Sequence, residues 1–136
     1  MDEQEIPRPV SNYVPAWPPV TTETFTSLSA DSPILIVHFW AVWNGYDRIM
    51  ESRLNETKHR LPEPAQILSC NIDDADCFEF AKNSGVVNIP WLSVFVNGRI
   101  HGHICGLRAP DTLANELIAF IANEPIAPPR KWWRFW

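Results

Sequence analysis

The sequence predicts one α/β domain, built on a mixed β-sheet with helices on both of its faces. The first observation behind this prediction is Ile34–Trp40, a nearly continuous apolar and β-branched run that is typical of a strand covered on both faces. The second is that strand-like and helix-like patterns alternate along the chain. The third is Asn97-Gly98, a strong hairpin signal between two strand patterns. A βαβ unit followed by a hairpin and a helix gives a mixed sheet.

The first half of the chain supplies two helices and two strands. Residues 21–30 predict a short helix with Phe25 and Leu28 on its apolar face, and the buried strand described above follows it. Residues 44–61 repeat apolar side chains at helical spacing, until two prolines end the pattern. A second strand is predicted at 66–70.

The second half supplies a helix, a hairpin and a last helix. Asp73 or Asp74 caps a helix that ends near residue 83 and buries Phe78 and Ala81. The hairpin strands are predicted at 91–96 and 99–104. Pro110-Asp111 opens the last helix, and its apolar face consists of Leu113, Leu117, Ile118 and Ile121.

Prolines mark the boundaries of the domain. Eight of the 13 prolines lie near the two ends of the chain, where they favour extended backbone and cannot join a helix or a sheet ladder. We therefore assign residues 1–20 and 124–136 to Pro-rich tails, and residues 21–123 to the folded domain.

Composition excludes several classes of function. The net charge of −5 argues against nucleic-acid binding, since phosphate contacts need clustered Lys and Arg. No run approaches the roughly 18 apolar residues of a membrane span. The acidic N-terminal residues lack the apolar stretch of a secretory signal, so we expect a cytoplasmic protein. We predict no cofactor.

Four short motifs, in the order of the predicted elements, resemble the thioredoxin family. They are Phe39-Trp40-Ala41-Val42-Trp43, Asn71-Ile72-Asp73, Val87-Asn88-Ile89-Pro90, and Asn97-Gly98 with the later Gly106. The similarity covers residues 21–122 without large insertions. It implies the thioredoxin fold, with the Ile89–Pro90 peptide bond in the cis form.

The residues that carry dithiol chemistry in that family are missing from this sequence. Where the family has Cys-Gly-Pro-Cys, this chain has Asn44-Gly45-Tyr46-Asp47. Disulfide exchange needs one thiolate to attack and a second thiol to resolve the mixed disulfide, and neither Asn nor Asp supplies a thiol. The resemblance therefore implies a redox-inactive member without catalytic residues at this position.

Two supporting residues differ as well. By the resemblance, the family's buried acid corresponds to His38 and a nearby Lys corresponds to Ser69. Because Asp47 takes the place of the buried second cysteine, we expect His38 and Asp47 to approach one another. The pair is either an acid/base couple near neutral pH or a buried imidazole hydrogen-bonded to a carboxylate, and we favour the second.

The start of the second helix also has a simpler interpretation. Asn44 is a favourable N-cap residue and Asp47 stands three positions later, so we expect a relative of the capping box. Asp47 is then also placed at the positive end of the helix dipole.

The three cysteines, Cys70, Cys77 and Cys105, show neither the close pairs of a zinc site nor the even count of a disulfide framework. In the strand order that the resemblance implies, Cys70 and Cys105 lie on opposite sides of the central pair of strands, too far apart for a disulfide, and Cys77 has no partner near it in sequence. Cys105 precedes Gly106, beside the groove that the resemblance implies. It is either a reactive thiol or a small buried hydrophobe, and we favour burial.

Two histidines stand on the second hairpin strand. His101 and His103 are two residues apart and therefore share a face of a regular strand. Such a pair can bind a metal, but no third ligand is apparent. We expect solvent-exposed histidines and no metal site.

The resemblance implies a groove that binds extended peptides beside the cis-proline. The residues of this face are Trp43, Tyr46, Ile89, Pro90, Trp91 and Gly106. If Trp91 lies beside Trp43 and Tyr46, the face is aromatic and suits a partner surface. The alternative is that Trp91 turns inward and packs in the core.

The C-terminal tail combines tryptophans with basic residues. Three of the seven tryptophans lie in the last five residues, and Arg130, Lys131 and Arg134 accompany them. Such a segment suits a protein contact, packing back on the domain, or a membrane interface. Because seven residues give little anchoring area, we favour the first two.

Two classes of function follow from these features. The first is a non-catalytic protein-binding or scaffold module that uses the aromatic face around the cis-proline. The second is an enzyme, either a single-cysteine, thiol-active protein that uses Cys105 or a protein with acid/base chemistry at His38 and Asp47. We favour the first, with a protein or peptide as the partner.

Overall fold

The structure is a computed structural model that describes residues 13–123 and Pro125. Its elements are α1 (Thr22–Asp31), β1 (Ile34–Trp40), α2 (Tyr46–Thr57), a 3-10 turn (Lys58–Arg60), β2 (Gln66–Asn71), α3 (Ala75–Asn83), β3 (Trp91–Val96), β4 (Arg99–Cys105) and α4 (Pro110–Ala122). The predicted order of elements is confirmed. The second helix is shorter than expected at both ends, and the 3-10 turn takes up its last residues. The prediction about the C-terminal tail lies outside the described residues.

A four-stranded mixed sheet in the order β2–β1–β3–β4 forms the centre of the domain. β1 pairs in parallel with β2 and antiparallel with β3, and β3 pairs antiparallel with β4. The parallel pair needs a crossover connection, and α2 lies in it. β1 is therefore a central strand, and all its residues after Ile34 are buried.

Side chains of β1 alternate between two apolar layers, one on each face of the sheet. Leu35, Val37 and Phe39 pack in a layer with residues of α1 and α3. Ile36 packs in a second layer with residues of α2 and α4. Helices thus cover both faces of the sheet, which confirms the predicted fold class.

The N-terminal boundary of the domain lies earlier than residue 20, so that prediction is corrected. Pro19 forms an isolated parallel bridge with Ser69 of β2. The Ser69 amide donates to the Pro18 carbonyl at 2.7 Å, and the Val20 amide donates to the Ser69 carbonyl at 2.9 Å. Because this pattern needs no N–H from Pro19, the proline joins the sheet edge that it was expected to avoid.

Side chains before this bridge also contact the domain. Val20 is fully buried in the layer with α1 and α3. The ring of Tyr13 meets that of Trp40 edge-on, with centroids 5.1 Å apart, and its hydroxyl donates to the Glu51 carboxylate. Burial is the larger cause that raises the pKa of Tyr13, and the hydrogen bond to Glu51 is the second. Part of the predicted N-terminal tail is therefore a packed component of the fold.

The third helix exposes Phe78 instead of burying it, so the prediction for this residue was wrong. The structure buries Cys77, Phe80 and Ala81, whereas Phe78 is 54% exposed. The buried positions follow the spacing of one helical face, and Phe78 stands about 100° away from Cys77 around the helix. The buried aromatic residue of α3 is therefore Phe80.

The hairpin between β3 and β4 has the turn that its sequence predicts. Asn97 has φ 53° and Gly98 has φ 81°, as a two-residue type I′ turn requires. Further along, Val94 pairs with Gly102 while Phe95 pairs with Ile100, so that His101 is an extra residue in β4. This is a β-bulge, which changes the face of the sheet towards which the neighbouring side chains point.

Because of the bulge, His101 and His103 do not share a face, and that prediction was wrong. His101 Nδ1 lies 3.0 Å from the carbonyl oxygen of Phe120 in α4. His103 Nδ1 lies 3.1 Å from Ser93 Oγ on the other side of the sheet. His101 is only 8% exposed, and burial lowers the pKa of His103.

Gly102 lies against the ring of Phe120, where no side chain fits. A Cβ at position 102 would stand 2.2 to 2.6 Å from three ring atoms of Phe120. We expect Gly102→Ala to lower the free energy of unfolding by about 2 kcal/mol, as overpacked cores do. Urea denaturation measures this change, and adding Phe120→Leu should restore part of the loss. An unchanged urea midpoint in Gly102→Ala would contradict the close packing.

Candidate functional site

The loop between β1 and α2 holds the residues that stand where the thioredoxin dithiol was expected. The Asn44 amide donates to the Ala41 carbonyl at 3.1 Å, and the Asp47 amide donates to the Asn44 carbonyl at 3.0 Å. The helix begins at Tyr46, with Gly45 in the N-cap position. Asn44 is half-buried, whereas Asp47 is 1% exposed. The first motif position is therefore open to solvent and the last is not.

Asp47 is a buried carboxylate that accepts two hydrogen bonds. His38 Nε2 lies 3.1 Å from Asp47 Oδ1, and the Ala41 amide donates to Asp47 Oδ2 at 3.0 Å. The side chains of His38 and Asp47 are each 1% exposed. The structure thus brings together the two residues that the sequence paired. Asp47 also lies in the first turn of α2, where the helix dipole favours a negative charge.

The second ring nitrogen of His38 has no hydrogen-bond partner among the described residues. With its proton on Nε2, the ring donates to Asp47 and leaves Nδ1 as an acceptor. A general acid or base must reach a substrate proton, and neither side chain is exposed. These features favour the structural interpretation of the pair.

The expected capping box at Asn44 and Asp47 is not formed, and that prediction was wrong. Asn44 Oδ1 accepts from the Tyr46 amide at 3.3 Å, while the Asp47 carboxylate points inward, away from the end of the helix. It satisfies two buried donors there, on His38 and Ala41. Leaving buried donors unpaired costs more than leaving an exposed helix-end amide to water, so the inward orientation is preferred.

Pro90 and Gly106 meet at one end of the sheet. The Ile89–Pro90 peptide bond is cis, and the Gly106 amide donates to the Pro90 carbonyl at 2.9 Å. Gly106 has φ 92°, a conformation that favours glycine. Ile89 is half-buried beside them. The loop after β4 is thereby held against the start of β3.

Trp91 turns inward, which decides between the two alternatives for this residue. It is 8% exposed and packs in the layer with α1 and α3. Its indole N–H donates to Ser93 Oγ at 3.1 Å, and its ring centroid lies 5.0 Å from that of His103. The alternative in which Trp91 forms an exposed aromatic face with Trp43 and Tyr46 is therefore ruled out, and Trp91 does not belong to the predicted binding face.

An open apolar groove of about 460 Å³ lies beside Ile89 instead, and neither Pro90 nor Gly106 is among the residues that line it. We call it the α3 groove, and its apolar lining consists mainly of Trp43, Ile72, Phe78, Val86, Val87 and Ile89. Trp43 is 56% exposed, Phe78 54% and Val87 85%. Large apolar side chains grouped in solvent in this way mark interaction sites.

Trp43 is held at the edge of the α3 groove by a hydrogen bond. Its indole N–H donates to Asp73 Oδ2 at 2.9 Å, and the Asp73 amide donates to Asn71 Oδ1 at 3.0 Å. A side chain that is already oriented loses less conformational entropy when a partner binds. Tyr46 is 36% exposed and is not one of the residues that line the groove.

Sequence reasoning found Trp43 and Ile89 but missed Phe78 and Val87. Phe78 was assigned to the core because it was placed on the apolar face of α3. Val87 belongs to the motif that ends at Pro90, and nothing in that motif indicates whether its side chain is exposed. For Phe78 a signal was available, because Phe78 lies outside the helical face on which α3 places its buried residues, Cys77, Phe80 and Ala81.

The described cysteines are free, and two of them lie together in the core. The Cys70 thiol donates to the Cys77 carbonyl at 3.1 Å, so Cys77 has a neighbour that the spacing did not indicate. Burial raises the pKa of both thiols, which keeps them protonated and unreactive. Cys105 is exposed at the end of β4, so the expectation that it is buried was wrong.

Residues 13–123 contain neither a cluster of metal ligands nor a candidate membrane span. In this part of the chain, His, Cys, Asp and Glu side chains do not come together in groups of three or more that suit a metal ion. Nor does the same part contain a helix with the length and apolar character that a bilayer span requires.

Comparison with known proteins agrees with this geometry. The thioredoxin family model matches residues 17–119. A chloroplastic M-type thioredoxin of Brassica napus is 30% identical over 106 residues, which are 76% of this chain but only 58% of that protein. A thioredoxin of Mycobacterium bovis is 30% identical over 106 residues, with 76% of this chain and 89% of that protein covered.

Solved structures show the same fold. A mutant thioredoxin from Halobacterium salinarum superimposes with a TM-score of 0.66 at 21% identity, covering 82% of this chain and 94% of that one. The family match begins at Trp17, close to the bridge between Pro19 and Ser69, and it ends within α4. The chain therefore belongs to the thioredoxin family.

Proposed function

We propose that this protein is a redox-inactive member of the thioredoxin family that binds a protein or peptide partner through the face around Pro90. The observation that supports this proposal most is the α3 groove, where Trp43, Phe78 and Val87 expose large apolar surfaces. The motif beside the groove has no thiol, and its last residue is engaged with His38 in the interior. What remains at this end of the domain is a surface suited to binding.

The chemistry of the groove indicates the kind of segment that it accepts. Its walls are mainly apolar, so aromatic or branched aliphatic side chains of a partner would fill it. Trp43 is oriented in advance by Asp73, which favours a rigid anchor at one side. We include a cytoplasmic location in this proposal, since three free thiols suit a reducing compartment.

A pair of matched substitutions tests this binding surface. Val87 lines the groove and is 85% exposed, whereas Val14 is 80% exposed and is not among the groove-lining residues. We expect Val87→Asp to weaken partner binding by about tenfold or more, because a charge would enter an apolar contact. Val14→Asp makes the same change elsewhere and should leave binding unaltered.

The measurement is affinity capture with the immobilised full chain, followed by titration of the captured partner. Both variants should keep the thermal stability of the parent, because both positions are at the surface. Equal capture by the Val87→Asp and Val14→Asp proteins would count against the α3 groove as the binding site.

The exposure of Cys105 supports a second candidate function, a single-cysteine, thiol-active protein. Cys105 stands opposite Trp91 in the hairpin register and directly before Gly106. Reduction of a small disulfide by Cys105 needs an external thiol to resolve the mixed disulfide, so an assay with glutathione as that thiol, and with glutathione reductase and NADPH as the electron source, separates the two functions. Sustained turnover that disappears in Cys105→Ser would establish the thiol and would overturn the redox-inactive proposal.

A further inference from the structure

Three side chains on β3 and β4 form a hydrogen-bonded chain. The Trp91 indole N–H donates to Ser93 Oγ at 3.1 Å, and Ser93 Oγ lies 3.1 Å from His103 Nδ1. Ser93 stands directly opposite His103 in the pairing of the two strands, and opposite residues share a face of the sheet. Trp91 is the diagonal neighbour of His103 on this face, and their ring centroids lie 5.0 Å apart. His103 therefore covers one side of the Trp91 indole.

The burial of Ser93 decides in which direction the protons of this chain are donated. Ser93 is fully buried, and its hydroxyl has one proton to donate. The hydroxyl oxygen accepts from Trp91, and among the described residues its only other partner is His103. The hydroxyl is therefore satisfied when it donates to His103 Nδ1, which leaves His103 neutral with its proton on Nε2.

Protonation of His103 disrupts this arrangement. The added proton enters at Nδ1, the same nitrogen that accepts from Ser93. The Ser93 hydroxyl then has no acceptor in a fully buried site, which is unfavourable. Burial of the ring also opposes the charge and lowers the pKa of His103 from its ordinary value of 6.5. Because His103 is only half-buried, its charged ring reaches water by turning outward.

We propose that His103 is a pH-sensitive cover for Trp91. The neutral ring packs against the indole, whereas the charged ring turns to solvent and leaves one side of the indole exposed. Trp91 directly follows Pro90, and its opposite residue Cys105 directly precedes Gly106. Acid therefore adds an aromatic surface to this end of the sheet. The inference does not depend on the proposed function, because it concerns the response of the domain itself.

Other influences on the charge of His103 are weaker. A charged imidazole 5.0 Å from Trp91 gains a cation–π attraction, but at a half-buried ring this is smaller than the cost of a buried, unpaired hydroxyl. β3 carries no ionisable side chain, and those of the neighbouring elements are Glu23 and Asp31 on α1, Asp76, Cys77, Glu79 and Lys82 on α3, and Arg99, His101 and Cys105 on β4. None of them contributes to the shift in the pKa of His103, which burial causes.

Nuclear magnetic resonance of the full chain tests the proposal during a titration from about pH 8 to about pH 4. The ring signals of His103 are assigned by their loss in His103→Gln, and the indole N–H signal of Trp91 by its loss in Trp91→Phe. We expect His103 to titrate about half a pH unit or more below the ordinary histidine value, and the Trp91 signal to shift at the same midpoint. After correction for the intrinsic pH dependence, hydrogen exchange of the Trp91 indole should become about tenfold faster or more below this midpoint.

A matched control is available at His59, which is exposed on the 3-10 turn. His59→Gln should leave both Trp91 changes unaltered, whereas His103→Gln removes the titrating ring and should abolish them. Ser93→Ala removes the hydroxyl that donates to Nδ1 and should raise the His103 midpoint by about half a pH unit. A His103 midpoint at or above the ordinary value would overturn the proposal, because the cation–π attraction would then hold the charged ring in place. A Trp91 signal that does not follow the His103 titration would overturn it as well.

Discussion

Replacing Asp47 with alanine is expected to lower the free energy of unfolding by about 3 kcal/mol, because two buried donors lose their acceptor together. The Ala41 amide and the His38 Nε2–H both donate to this carboxylate, at 3.0 and 3.1 Å. Alanine offers no acceptor to either donor. Asp47→Asn keeps one carbonyl oxygen, so we expect it to lose less stability than alanine.

Chemical denaturation at constant ionic strength measures this effect, with Asp111→Ala as the control. Asp111 also lies in the first turn of a helix and contacts Arg60 at 3.7 Å, but its side chain is 96% exposed. Exposed pairs of this kind contribute about 0 to 1 kcal/mol. A loss in Asp47→Ala as small as that of the control would show that the buried pair does not stabilise the fold.

Restoring cysteines at positions 44 and 47 is expected to restore dithiol chemistry. The Asp47 amide donates to the Asn44 carbonyl, a turn geometry that brings the two Cα atoms within about 7 Å. Disulfides span about 4.4 to 6.8 Å between Cα atoms, so little backbone movement is needed. A thiol at the more exposed position 44 lies just before the start of α2, where the helix dipole favours the thiolate.

The experiment compares Asn44→Cys/Asp47→Cys/Cys105→Ser with the Cys105→Ser parent. We expect the cysteine pair to raise dithiothreitol-driven insulin reduction by about tenfold or more over the parent, since attacking and resolving thiols are both present. Treated with oxidised glutathione, Asn44→Cys/Cys105→Ser, with a single thiol in the motif, should instead form a stable mixed disulfide and release one reduced glutathione. If both cysteines still react with an alkylating reagent after oxidation, they have not formed a disulfide, and the loop does not have the inferred geometry.

The fold was predictable because its signals are local. The apolar run of β1, the Asn97-Gly98 turn and the prolines after α2 each determine structure within a few residues of themselves. Their order along the chain then limits the topology to a mixed sheet with two helical layers. The pairing of His38 with Asp47 was also predictable, because the resemblance aligns His38 with the family's buried acid and Asp47 with its buried second cysteine.

The errors concern features that tertiary packing decides. A bulge decides towards which face of the sheet His101 points, and the residue types at Val94 and Gly102 do not indicate that bulge in the sequence. The inward position of Trp91 depends on the space between α1, α3 and the sheet. Asp47 was expected to cap a helix because the local rule considers only the helix end, whereas two buried donors compete for the same carboxylate. Such competition is visible only in three dimensions.

The bridge between Pro19 and Ser69 also protects the outer strand β2. An uncovered outer strand presents a row of free amides and carbonyls on which a second molecule can add a strand and begin to aggregate. Here Pro18 and Val20 occupy the Ser69 backbone groups, and Pro19 offers no amide to a further strand. A fragment that starts at residue 21 keeps every helix and strand but loses this protection. Expression designs should therefore begin before Tyr13.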